Sequence, residues 1–412
     1  MDTVKETVMG FSNRLRHRKD HAEGERTGGL FYEVMLKYYQ MLDQAREEGK
    51  PIVWAGGIPT EIFYAMDLVP FFPEFHCMVV ATQADPAPYL DASAGYGLPV
   101  EICSVHRVMT GMDLMQQLPT PDLVAYQSYV CDSGFKFYDS RQEYHQCPSY
   151  LMDTPYGRDA NSMKYYAHEL EGFVAFLEEH TGQKLDRDRL EEIMKLSQEA
   201  YQYFYEIGEL RKATPTPLQA REAFRNFSVY GTLLGRPEAV EYFRTQRDET
   251  KARVERGQGA VSQENYRLAW LYVPPNYALS VFDWMEVEYG ATIPMDIFNY
   301  LADIEWDISK PIDTLTQKMI HNVLFRECGG EVENATQEAS RMVKDYKMDG
   351  AIYFTQIGCK QGCGILRRLK DVLQGEIGVP LLIIDGDVVD PSIMPVEELK
   401  TKIEEFFELL EE

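Results

Sequence analysis

Alternation is the feature that most constrains this chain. Short apolar runs read as strands, and the clearest of them are followed by a glycine-bearing turn and a helical pattern. Ile52-Val53-Trp54-Ala55 ends in Gly56-Gly57, and Pro59-Thr60-Glu61 then opens a helical pattern that continues to Met66. Ala351 to Ile357 (AIYFTQI) runs into Gly358 and a helix, and Pro380 to Ile384 (PLLII) runs into Asp385-Gly386-Asp387. Leu123 to Tyr126, Ser149 to Met152 and Arg267 to Val273 (RLAWLYV, closed by Pro274-Pro275) are further strand-like runs. Strands alternating with helices predict parallel sheets with helices packed on them.

These runs fall into two groups. Residues 1–50 read as a helical N-terminal segment, with Phe31, Met35, Tyr38, Tyr39 and Leu42 at helical spacing. The first α/β unit covers 51–157. From 158 to 264 the chain reads as a helical insert: Leu170, Phe173, Val174 and Leu177 form one apolar stripe, with Gly182 as its stop, and Leu190, Ile193, Met194, Tyr201 and Phe204 form another. The second α/β unit covers 265–412. The expectation is therefore an α/β protein with two parallel-sheet units, and 412 residues suffice for more than one core.

Lys+Arg 41 against Asp+Glu 66 gives a net charge of −25. Such a chain repels phosphate backbones and anionic lipid surfaces, so nucleic acid and membranes are poor partners. No apolar run approaches the roughly 20 residues that span a bilayer, and Met1 to Lys19 lacks the apolar core of a signal peptide. A cytoplasmic location follows as an expectation. There the 7 cysteines are not expected to form disulfides, and metal binding or plain burial comes first.

The densest chemistry is Gly358-Cys359-Lys360-Gln361-Gly362-Cys363-Gly364, at the carboxyl end of the AIYFTQI strand. In open α/β sheets ligands bind at that edge. Cysteines at i and i+4 share a helix face, the glycines permit close approach, and a helix N-terminus favours thiolates. Cys131 stands at the equivalent edge of the first unit. Cys103 precedes a helical stretch with Arg107, Cys77 follows Phe75-His76, Cys328 precedes Gly329-Gly330, and Cys147 precedes Pro148. Taken alone, each of these is more often a small buried hydrophobe than a ligand. No C-x2-C pair is present, which disfavours zinc ribbons and ferredoxin-type clusters. Ligands scattered over both units would instead place a cluster in the cleft between them. No phosphate-binding loop and no dinucleotide fingerprint occurs. His76, His106, His145 and His321 could donate protons, although a lone histidine is usually a satisfied surface or core residue. Asp385-Gly386-Asp387 reads first as a polar turn.

Several of these segments together resemble a known family. Val53-Trp54-Ala55, Ile58-Pro59-Thr60-Glu61, Tyr64-Ala65-Met66, Val69-Pro70 and Phe72-Pro73-Glu74 are similar to the opening of the 2-hydroxyacyl-CoA dehydratase and benzoyl-CoA reductase family. So are Ile102-Cys103-Ser104 with Arg107 and Gly111, Cys131-Asp132, Asp349-Gly350 to Gln361, and Val379 to Asp387 with Asp390. The resemblance covers about 50–405. It implies two flavodoxin-like domains with an iron–sulfur cubane between them on Cys103, Cys131 and Cys359. It also implies a separate homodimeric ATPase, with its own [4Fe-4S] cluster, that supplies single electrons. In the dehydratases those electrons form a ketyl radical from a CoA thioester.

The additional Cys77, Cys328 and Cys363 depart from the dehydratase pattern. They resemble the double-cubane branch, in which two cubanes share a bridging sulfide; its members are homodimers that reduce small molecules. That resemblance implies an [8Fe-9S] cluster on Cys77, Cys103, Cys131, Cys328, Cys359 and Cys363, with Cys147 left out. The expected activity is ATP-dependent, low-potential reduction of a small molecule. The alternatives are a 2-hydroxyacyl-CoA dehydratase or benzoyl-CoA reductase-type subunit with one [4Fe-4S] cluster, or an electron-storage protein.

Overall fold

The computed structural model describes residues 3–21, 26–128, 131–322 and 331–411. It contains two four-stranded, wholly parallel sheets. The first comprises β1 (Ile52–Gly56), β2 (Val69–Phe71), β3 (Leu123–Gln127) and β4 (Ser149–Met152), in the order β2-β1-β3-β4. The second comprises β5 (Tyr266–Leu271), β6 (Ala291–Asp296), β7 (Gly350–Gln356) and β8 (Leu381–Gly386), in the order β6-β5-β7-β8. The two sheets therefore repeat one topology, that of a flavodoxin-like unit.

Six of the eight strands lie on runs legible in the sequence. The other two, β2 and β6, occupy the same edge position in their respective sheets, and each contains a proline, Pro70 and Pro294. Proline withholds a ladder donor and is tolerated at an edge, so a propensity reading passes over both. At Pro294 the pairing also slips: Arg267 faces Thr292, whereas Ala269 faces Met295.

Burial on both faces gives the central strands their apolar character. Val53, Trp54 and Ala55 of β1 and Val124 and Ala125 of β3 are fully buried, as are Ala351, Ile352 and Phe354 of β7. The N-terminal helices Thr3–His21 and Arg26–Gln44 share the core of the first sheet, the former through Val4 and Phe11 and the latter through Val34, Met35, Tyr38 and Tyr39. The helices Ala160–Thr181, Arg187–Leu210, Ala220–Leu233 and Pro237–Glu255 join that same core through Phe173, Phe204, Val229 and Phe243.

These helices are tied to the second sheet by buried charge. Arg211 caps the carboxyl end of Arg187–Leu210, and its Nη2 lies 2.9 Å from the Ile293 carbonyl oxygen and 3.4 Å from Asp296 Oδ2. The Asp296 carboxylate also accepts from the Phe298 and Asn299 backbone N–H groups and from Asn299 Nδ2. Both ionic side chains are 0% exposed. Asp296→Ala would leave a buried guanidinium without its counter-charge, and we expect it to cost about 3–5 kcal/mol, read from urea unfolding. A loss below about 1 kcal/mol would show that the pair contributes no more than a surface one.

Candidate functional site

Cys103, Cys131 and Cys359 line one cavity of about 280 Å³ between the carboxyl edges of the two sheets. The local fold places all three alike. Cys131 follows β3 and is the N-cap of Asp132–His145; Cys359 follows β7 and is the N-cap of Lys360–Gly364; Cys103 is the N-cap of Ser104–Leu114. The Gly134 N–H donates to Cys131 Sγ at 3.2 Å, and the Gly362 N–H donates to Cys359 Sγ at 3.4 Å. The two sheets thus carry the same device, Cys-x-x-Gly at the start of the helix that follows the third strand. Unpaired N–H groups and the helix dipole there stabilise negative charge on sulfur.

Glycines bring the three cysteines together. A Cβ at Gly358 would lie 2.7 Å from Cys103 Cα and 2.8 Å from its backbone nitrogen, so only glycine lets the Cys359 turn press against the Cys103 backbone. A Cβ at Gly362 would lie 2.7 Å from Tyr272 Cζ. The Tyr272 hydroxyl sits 2.7 Å from Cys359 Sγ, and its ring stacks on Tyr353. Tyr272 has φ +76°, a costly conformation for a bulky residue, and it occurs at the cavity wall.

Beneath the thiols the two sheets are joined by a buried polar network. Asp387 accepts from the Ser104 hydroxyl, from Gln356 Nε2 at 2.9 Å, and from the Val389 and Asp390 backbone N–H groups at 2.9 Å. Gln356 Oε1 accepts from the Val388 N–H at 2.7 Å. The Asp385-Gly386-Asp387 turn is therefore a tie between the two units, with Asp387 buried. Above it, Lys360 pairs with Asp132 across the two cysteine helices; both side chains are largely exposed, so the pair adds little.

Burial raises the thiol pKa values. Desolvation, and then the neighbouring Cys131, push Cys103 well above its usual range; desolvation lifts Cys131 to about 12, opposed by the Gly134 N–H, with Cys359 adding to the rise. Metal-free Cys103 and Cys131 are therefore protonated, and a metal group binding them would release their protons. Among the described residues, no three His, Cys, Asp or Glu groups are gathered at single-ion spacing.

The remaining cysteines divide. Cys77 is fully buried in the helix Pro73–Ala81 that follows β2, and its Sγ donates to the Val105 carbonyl oxygen at 3.7 Å, two residues beyond Cys103. Cys363 is exposed, and its Sγ is directed at the Gln356 and Ile357 carbonyls, 3.6 and 3.8 Å away. Neither lines the three-thiol cavity. Cys147 precedes β4, at the opposite edge of the first sheet. Cys328 lies outside the described residues.

The cavity also holds acid–base groups that the sequence did not single out as a set. Glu74 Oε2 accepts from the Tyr138 hydroxyl, and Glu74 Oε1 lies 4.0 Å from His106 Nε2. Desolvation raises the Glu74 carboxyl to about 7 and lowers the His106 imidazole to about 4. Lys318, buried at the cavity wall, pairs with the buried Glu61, which also accepts from Ser197. His76 is enclosed by Tyr39 and Thr3, and His145 lies 2.9 Å from Asp113, so both are committed elsewhere.

The family model described as 2-hydroxyglutaryl-CoA dehydratase, D-component, matches residues 56–410. The chain belongs to that family. It is 25% identical over 384 residues to the (R)-phenyllactyl-CoA dehydratase alpha subunit of Clostridium sporogenes, covering 89% of this chain and 91% of that one. It is 21% identical over 400 residues to the (R)-2-hydroxyisocaproyl-CoA dehydratase alpha subunit of Clostridioides difficile, covering 92% and 95%. A benzoyl-CoA reductase subunit of Thauera aromatica is 22% identical over 409 residues, covering 92% and 93%. These relatives are subunits of enzymes. No helix among the described residues is long and apolar enough to cross a membrane.

Glu74 provides a test of the site's electrostatics. Its folded pKa of about 7 exceeds the ordinary 4.5. The folded chain therefore holds an extra proton between those values, and stability falls as pH rises through that window and levels off above it. Glu74→Gln keeps a neutral side chain throughout. Urea unfolding of the iron-free chain is expected to show the variant gaining on the native protein from about pH 4.5 to about pH 7. A difference that does not change with pH would mean that the carboxylate is well solvated.

Proposed function

We propose that this protein is an iron–sulfur oxidoreductase that accepts single low-potential electrons from a separate ATPase and reduces a small molecule. The observation that carries this reading is the convergence of Cys103, Cys131 and Cys359, each at a helix N-cap, on one cavity. An iron–sulfur group bound there would supply the electrons. Cys77 Sγ reaches the Val105 carbonyl, two residues beyond Cys103, and Cys363 stands one helical turn beyond Cys359; with Cys328 we read them as the further ligands of a double-cubane [8Fe-9S] cluster. In chain order Cys328 precedes the helix Val332–Asp345 that leads to β7, much as Cys103 precedes the helix that leads to β3.

The chain's own residues then provide the rest. Glu74, partly protonated near neutrality, can hold a proton at the cavity wall, with Tyr138 fixing its carboxylate. Phe72, Phe75, Phe227 and Phe298 keep the wall apolar and limit water. No phosphate-binding loop is present, so the ATP coupling belongs to a partner, a homodimeric ATPase with its own [4Fe-4S] cluster. This chain itself would act as a cytoplasmic homodimer.

A second reading, a CoA-thioester dehydratase or reductase subunit with one [4Fe-4S] cluster, has its own support. Beside the cysteine cavity lies a groove of about 620 Å³ that shares Phe75, Met78, Phe227, Val273 and Phe298 with it. Arg14, His17, Arg18, Arg221 and Arg225 line this groove, a basic cluster in an acidic chain that would suit the phosphates of CoA.

Iron and sulfide analysis of anaerobically prepared protein separates the two readings. About eight irons per chain are expected for the double cluster and about four for the single one. Cys363→Ser should lower the iron content while Cys147→Ser leaves it unchanged. Iron lost from Cys147→Ser but not from Cys363→Ser would reverse the ligand assignment. Reduction by the ATPase partner is expected to require ATP, and equal rates without nucleotide would argue against coupling.

A further inference from the structure

Cys131 and Cys359 are each followed three residues later by a glycine whose N–H reaches the thiol. The corresponding position after Cys103 is His106. Its imidazole is buried, with the side chain 8% exposed, and it lines the three-thiol cavity. It packs against Phe137 at a centroid distance of 6.0 Å. A Cβ built on Gly134 would lie 3.2 Å from His106 Nε2 and 3.6 Å from Cys131 Sγ, so the ring edge and the thiol flank the same glycine.

Among the described residues, neither nitrogen of this ring has an acceptor within hydrogen-bond reach. Burial keeps it neutral at physiological pH, so one of its nitrogens carries an N–H. Nδ1 is fully enclosed and has no hydrogen-bond partner among the described residues. Nε2 has the Glu74 carboxylate at 4.0 Å, beyond hydrogen-bond reach. Whichever nitrogen holds the proton, the donor lacks a strong acceptor in a cavity walled by three thiols. Loading the site would convert those thiols to thiolates and add sulfides, all acceptors for an N–H.

We infer that His106 is a positioning residue for the iron–sulfur group: its imidazole donates an N–H hydrogen bond to a thiolate or sulfide of the group held on Cys103, Cys131 and Cys359, and so raises its reduction potential. The inference rests on the proposed cluster. A donor to sulfur stabilises the extra negative charge of the reduced state, which is how outer-shell hydrogen bonds tune such groups.

The test uses the iron-loaded, dithionite-reduced chain prepared with ¹⁵N-histidine, and pulsed electron paramagnetic resonance. A histidine nitrogen coupled to the cluster spin is expected in the native protein and should be lost in His106→Phe, which keeps a flat ring without a donor. Redox titration of His106→Phe should show a fall of roughly tenfold in the equilibrium constant for one-electron reduction, about 59 mV to more negative potential. His106→Gln, which restores an N–H donor, should recover most of that shift. Iron-loaded native protein without histidine coupling, or His106→Phe titrating at the native potential, overturns this inference alone. Native protein that takes up no iron overturns the cluster reading as well.

Discussion

The site depends on one join, the buried contact between the carboxyl edges of the two sheets. Asp387 from the end of β8 and Gln356 from the end of β7 close on Ser104, which follows Cys103 in the other half. Immediately above, Gly358 lies against the Cys103 backbone, where a methyl group would collide. Neither half alone forms a three-thiol cavity: Cys103 and Cys131 come from one and Cys359 from the other. A buried carboxylate with four hydrogen bonds is costly to leave incomplete. The same network that fixes the relative position of the halves therefore fixes the spacing of the thiols.

The repeated topology explains how such a cavity arises from modest parts. In a parallel sheet every strand ends at the same edge, and the helix that follows starts there with unpaired N–H groups. Placing Cys-x-x-Gly after the third strand of each sheet gives two thiols with identical local support. Turning the two edges toward each other makes those thiols face a common space. The protonated, desolvated Cys103 and Cys131 thiols are a poor match to this dipole-rich surround, and the proposed metal group would replace their protons. At the join, burial raises the Cys103 and Cys131 pKa values while the helix ends favour thiolates, so the two effects oppose each other there.

Much of this was legible in the sequence, for physical reasons that also mark its limit. The central strands announce themselves because burial on both faces demands unbroken apolar runs, as in AIYFTQI. The edge strands β2 and β6 do not, because Pro70 and Pro294 obey edge rules that resemble loop rules. Cys359 with its glycines was readable as a local motif at a predictable edge, and Cys131 at the equivalent edge, whereas Gly134 carried no signal of its own. The Asp387 turn read as polar surface, since its partners Ser104 and Gln356 are 283 and 31 residues away. Tyr272 lay inside a run read as strand, and nothing in RLAWLYV marks its positive φ or its reach to Cys359. Glu74 and His106 meet only because the helices Pro73–Ala81 and Ser104–Leu114 pack together, and no spacing in the chain encodes that meeting.

The asymmetry between the halves is where the chemistry is decided. A perfectly repeated pair of units would offer two equivalent thiols and no direction across the cavity. Here one wall carries Glu74, Tyr138 and His106, and another carries Tyr272 hydrogen-bonded to Cys359 and the Lys318–Glu61 pair. Glu74 has a pKa of about 7, so it can exchange a proton near neutrality, whereas the buried Tyr138 hydroxyl only orients it. The apolar side chains shared between the cavity and the basic groove lie at the remaining opening. On the proposed function, a molecule entering there would meet electrons from the thiol-lined side and a proton from Glu74, while the apolar wall limits competing water. That division of roles comes from the side chains that break the repeat, set on a scaffold that the repeat makes rigid.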